Sequence, residues 1–92
     1  MDKTDIQIRR GQEAERLMGH ELMVDAKAHI EAELWRLFRE TSPNDAETLQ
    51  FVKAMQYYHD KYFAFLTRTV SDGKVAMANA KAKKTLREKF FG

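Results

Sequence analysis

Between Glu47 and Val70 the chain sets large apolar side chains at helical intervals. Phe51, Met55, Tyr58, Tyr62 and Phe65 follow one another at spacings of 4, 3, 4 and 3. Residues so spaced share one side of an α-helix, and Val52, Leu66 and Val70 widen the line into a stripe. Aromatic rings bury much area over a short length, so this stripe predicts the core face of a helix packed lengthwise on another. The remaining segments read as its partner, its hinge and its tail.

The partner comes first in the chain. Met23, Ala26, Ile30, Leu34 and Leu37 repeat at spacings of 3, 4, 4 and 3 and predict a helix over residues 20–40. Val24, Ala28 and Trp35 form a second stripe on another side of it, with Phe38 between the two. A helix apolar on two sides is sandwiched, within a bundle or between subunits. With so few helices in 92 residues, the second stripe is expected to face another subunit. Tyr57 and Phe63, which point away from the core stripe, are expected to cover the partner helix or join that interface.

Thr41-Ser42-Pro43-Asn44-Asp45 separates the two helices. Ser42 suits the N-cap of the second, Pro43 its first position, and Asp45 completes an S-x-x-D capping box. Proline also keeps Ser42 out of helical geometry, so the first helix ends by then. A connection this short predicts an antiparallel hairpin of residues 20–40 against 44–70. Residues 1–18 predict a short N-terminal helix, capped by Thr4 or Asp5 and broken near Gly19-His20. At the other end, Ser71-Asp72-Gly73 is expected to stop the second hairpin helix, with Gly73 in left-handed geometry. A separate basic helix over 74–91 would follow. The expected architecture is all-α in one domain.

Charge divides the chain unevenly. Residues 1–73 hold 10 Lys/Arg against 13 Asp/Glu, a balance of −3, whereas residues 74–92 hold 6 against 1, a balance of +5. An acidic body with a basic tail suggests two kinds of partner. Lys81, Lys83, Lys84, Arg87 and Lys89 could neutralise phosphates in salt-sensitive, sequence-indifferent binding. They could equally dock on an acidic protein surface, with Leu86, Phe90 and Phe91 as apolar anchors.

Chemistry-bearing patterns are few. There is no cysteine, and His29 with Glu33 and His59 beside Asp60 lack a third ligand at metal-site spacing. Ser42 and Ser71 are explained by capping and turn, and no glycine-rich loop is present to cradle a phosphate. A non-enzyme without metal or cofactor is the expectation. No run approaches the ~18–20 apolar residues of a membrane span, and the start is polar rather than signal-like. The expected partners therefore include no membrane, and the protein is not expected to be secreted.

Arg10-Gly11, Ala14, Leu17-Met18, Glu33-Leu34, Trp35, Ser42-Pro43, Asp45, Leu66 and Gly73-Lys74-x-Ala76 together resemble small helical proteins of tailed bacteriophages and prophages. Those proteins come from morphogenesis and DNA-packaging gene clusters. The resemblance spans residues 9–76 and departs at His20, where a helix-breaking proline is expected nearby, and in the lysine-rich tail. It implies a homo-oligomeric assembly or packaging factor of small-terminase-like, scaffold-like or head-accessory type, in the host cytoplasm or the virion. Another virion or packaging protein, and DNA at the tail, would be its partners. Two alternatives stand beside it: a host-directed inhibitor that masks one protein surface with Val24, Ala28 and Trp35, and a non-specific nucleic-acid-binding regulator.

Overall fold

A computed structural model describes residues 2–91, and of Phe91 its backbone only. The chain is all-helical: α1 (Lys3–Gly19), α2 (Glu21–Glu40) and α3 (Ala46–Phe91), with no strand among the described residues. Abundant helix formers, one proline and four glycines make this outcome natural.

Local side-chain chemistry sets each boundary. Asp2 caps α1, its carboxylate accepting the Thr4 N–H, so the capping role expected of Thr4 or Asp5 falls earlier. His20 holds an extended backbone between α1 and α2, and its Nδ1 accepts the Leu22 N–H at 3.1 Å. Thr41 closes α2, with its N–H and its hydroxyl both donating to the Leu37 carbonyl. A turn follows in which the Asp45 N–H donates to the Ser42 carbonyl at 3.0 Å, and Ser42 Oγ accepts from the Asn44 N–H at 3.3 Å. Asp45, not Ser42, then caps α3, its Oδ1 accepting the Thr48 N–H at 3.1 Å. Pro43 occupies the second position of that turn rather than the first turn of the helix. The helix consequently starts at Ala46 instead of residue 44.

The largest correction falls at Gly73. No helix ends at Ser71-Asp72-Gly73, no described glycine has positive φ, and no separate helix begins at residue 74. α3 runs through as one element to Phe91. Gly73 serves helix packing, not a turn.

Contacts divide the chain into two units, residues 18–65 and residues 1–17 together with 66–92. In the first, α2 lies against the early part of α3. Lys27 Nζ stands 5.2 Å from the centre of the Phe63 ring, and Glu31 Oε1 lies 3.2 Å from His59 Nε2. Contact positions that rise in α2 as they fall in α3 mark an antiparallel pairing. Val52 is buried here, and only 8% of the His59 side chain is exposed.

In the second unit α1 meets the later part of α3 at closely approaching backbones. Gly11, Ala14, Leu66, Gly73 and Ala76 are buried. A Cβ on Gly11 would stand 2.8 Å from the Gly73 Cα and 3.1 Å from the Thr69 carbonyl oxygen. A Cβ on Gly73 would stand 3.0 Å from the Gln7 carbonyl oxygen. Each helix contributes a glycine and, three residues on, an alanine, which together leave room for main chain against main chain.

The packed positions of α3 are Val52, His59, Leu66 and Gly73, each seven residues after the last, with half-buried Phe63, Val70 and Met77 four residues beyond the later three. This is a heptad seam. It keeps Val52, Leu66 and half-buried Val70 of the expected stripe, but the line Phe51, Met55, Tyr58, Tyr62 and Phe65 lies one residue away from it, about 100° of helix rotation. Phe51, Tyr58 and Phe65 are accordingly 59%, 68% and 58% exposed. The expectation that they form the core is overturned. Close packing on α1 and α2 selects small and medium side chains beside half-buried Phe63, and the rings of Phe51, Tyr58, Tyr62 and Phe65 are turned outward.

Candidate interaction surface

The rings displaced from the seam form a continuous outward face. Phe51, Met55, Tyr58, Tyr62 and Phe65 lie along α3 and are all exposed. Tyr62 meets Phe63 edge-on with centroids 5.1 Å apart, and Tyr58 meets Tyr57 at 5.5 Å. With half or so of each side chain accessible, the face presents roughly 500 Å² of mostly apolar surface. Contiguous patches of that size mark interaction sites more often than idle surface.

The α2 residues singled out from the sequence are outward too. Val24, Trp35 and Phe38 are each at least half exposed, and Ala28 is exposed. The Trp35 and Phe38 rings stack with centroids 5.8 Å apart. They form one wall of an open groove of about 380 Å³, whose opposite side includes His59 and Asp60 of α3. Val24 and Ala28 line a smaller hollow with Met18 and Met23. Tyr57 is exposed, with Lys61 Nζ 5.3 Å from its ring centre. Phe63 behaves differently. It is half-buried under Lys27 and 4.7 Å from the His59 ring, so it covers α2.

Electrostatics gather at Glu31. Its Oε1 accepts from Lys27 Nζ at 2.7 Å and approaches His59 Nε2, and these contacts, Lys27 first, hold its carboxyl below the ordinary glutamate range. On the other side Arg36 pairs with Glu33 and Glu40 at 2.8 Å each and lowers Glu33 in the same way. His29 and Glu33, weighed as a ligand pair from sequence, are thus separated in role by that arginine. Among the described residues no three His, Asp or Glu side chains converge to hold a metal ion. Nor is any described helix long and apolar enough to cross a membrane.

Every residue from Ala78 to Phe90 is exposed, including Lys81, Lys83, Lys84, Arg87 and Lys89. Leu86 is 55% and Phe90 69% accessible, while the Phe91 side chain lies outside the described residues. The missed feature is the aromatic face. Its residues were visible in the sequence, but their large size assigned them to the core. Comparison with protein-family models, with curated proteins and with solved structures finds no match.

Proposed function

We propose that the protein is a non-enzymatic assembly factor that associates with further copies of itself through the aromatic face of α3. The observation that carries this reading is the row Phe51, Met55, Tyr58, Tyr62 and Phe65, left outward by a seam that uses the adjacent positions. A second copy is a fitting occupant because roughly 500 Å² from these residues alone supplies most of the ~800 Å² per partner of a standard interface. The resemblance to tailed-phage morphogenesis and packaging proteins supports placing such an assembly in virion construction. There the hairpin of α2 and α3 would hold subunits together and the basic end of α3 would contact DNA or a larger virion protein.

Native mass of the full-length protein by sedimentation, at low and high salt, tests the proposal. Self-association that persists at high salt and is abolished by Tyr58→Glu with Phe65→Glu is expected, with helical content unchanged. A monomer at micromolar concentration, or identical masses for wild type and variant, would overturn it. In that case the masking-protein alternative, built on Val24, Ala28 and Trp35, takes first place.

A further inference from the structure

We infer that the groove bounded by Trp35, Phe38 and Asp60 receives the basic end of α3 from a second copy of the chain. The inference adds a second, electrostatic contact to the aromatic face and does not depend on it.

Three observations converge. Residues 18–65, which contain the groove, carry 5 Lys/Arg against 8 Asp/Glu, a balance of −3, and the tail from residue 74 carries +5. The stacked Trp35 and Phe38 rings offer π-faces beside two carboxylates of the groove lining, Glu31 and Asp60. That combination recognises a guanidinium or ammonium with an apolar stem, since the rings attract the cation and the carboxylate receives its N–H groups. Glu31 is engaged by Lys27 and His59, whereas Asp60 forms no ion pair among the described residues and is the carboxylate left to receive a cation.

The tail has the matching chemistry. Residues 78–90 are helical and all exposed, Leu86 at 55% and Phe90 at 69%. Lys83 and Arg87 stand one turn apart, and Leu86 and Phe90 form a second i, i+4 pair beside them. Cations flanking an apolar pair suit a groove with an aromatic wall and an acidic edge. Such a contact joins two different surfaces, so it is heterologous, and repetition closes a ring or extends a filament.

Full-length variants test it. A groove variant, Trp35→Ala with Asp60→Lys, and a tail variant, Lys83→Glu with Lys84→Glu and Arg87→Glu, change exposed residues only. Circular dichroism checks that both keep their helices. Each is expected to lose the salt-sensitive part of self-association at low ionic strength, by about tenfold or more. An equimolar mixture should recover one joint per pair, because each variant keeps the half the other lacks. Carbodiimide treatment of mixed isotopically light and heavy wild-type protein should link Asp60 of one copy to Lys83, Lys84 or Lys89 of another. The same link should survive Tyr58→Glu with Phe65→Glu, which separates this contact from the aromatic face. Unchanged association in the groove variant, a mixture no better than either component, or a tail that binds DNA while no such link forms would each overturn the inference.

Discussion

Gly11 and Gly73 touch so closely that neither can carry a methyl group without striking the other's Cα, at 2.8 Å in both directions. A glycine inside a helix costs about 1 kcal/mol relative to alanine, so Ala at either site would gain that propensity. The obstruction is main chain and cannot swing aside, and overpacking costs typically about 1–3 kcal/mol.

Gly11→Ala and Gly73→Ala are therefore expected to be net destabilising, by up to about 2 kcal/mol. Gly19 has nothing within 4 Å of a built Cβ and no positive φ, so Gly19→Ala should be neutral or slightly stabilising. Urea midpoints of the three variants decide the matter. A raised midpoint for Gly73→Ala would remove the close crossing.

Neighbouring residues of α3 should respond in opposite ways. Leu66 is 7% and Phe65 58% exposed. Leu66→Ala should lose about 2 kcal/mol or more, and Phe65→Ala at most about 0.5 kcal/mol, measured at a concentration where subunits are dissociated. Equal losses would return Phe65 to the core.

Asp45 should outweigh Ser42 as a capping residue. Asp45→Ala is expected to cost about 1 kcal/mol, while Ser42→Ala, which removes a 3.3 Å contact to the Asn44 N–H, should cost less. Thermal unfolding of the two variants ranks them.

Acid should weaken the fold through Glu31, Glu33 and Asp45. All three carboxyls are lowered in the folded chain: Glu31 chiefly by Lys27, Glu33 by Arg36, and Asp45 by its hydrogen bonds with Thr48. A depressed folded value means that the unfolded chain binds protons first as pH falls. The contribution is complete above the ordinary values of 4.5 for glutamate and 3.8 for aspartate, and is lost as pH drops through the lower folded values. Stability measured from pH 6 down to about 2 should fall less steeply for Glu31→Gln than for wild type. Because these groups are exposed, the effect is small, and a steeper fall in Glu31→Gln would contradict it.

Helix was legible nearly everywhere, because little in the composition opposes it. Which side of α3 faces inward was harder to read. Size and hydrophobicity favour Phe51, Tyr58 and Phe65, yet the seam uses Val52, His59, Leu66 and Gly73. Val52 and Leu66 stood at the edge of the expected stripe, whereas His59 and Gly73 carry no apolar signal, so only the seven-residue spacing could have made that edge the centre of the seam. Gly73 was misread for a related reason. Glycine after Ser-Asp looks like a helix stop, and the residue that explains it, Gly11, lies 62 positions away in sequence. Asp45 differs from these cases, since the misreading was local: it looked like the capping-box partner of Ser42, and the turn at Pro43 makes it the cap itself. The outward-facing second stripe on α2 and the exposed basic residues were named in advance; the aromatic face was not.

The heptad spacing of α3 also restricts how this chain can change length. A single residue inserted between Leu66 and Gly73 would turn everything after it by about 100° relative to Leu66. Gly73 would then leave its place opposite Gly11, and a side chain too large for that crossing would arrive instead. Even a block of seven, which keeps the rotation, would carry Gly73 about 10 Å along the axis and away from Gly11, so the stretch from Leu66 to Gly73 is fixed in length even where its surface sequence is free to drift.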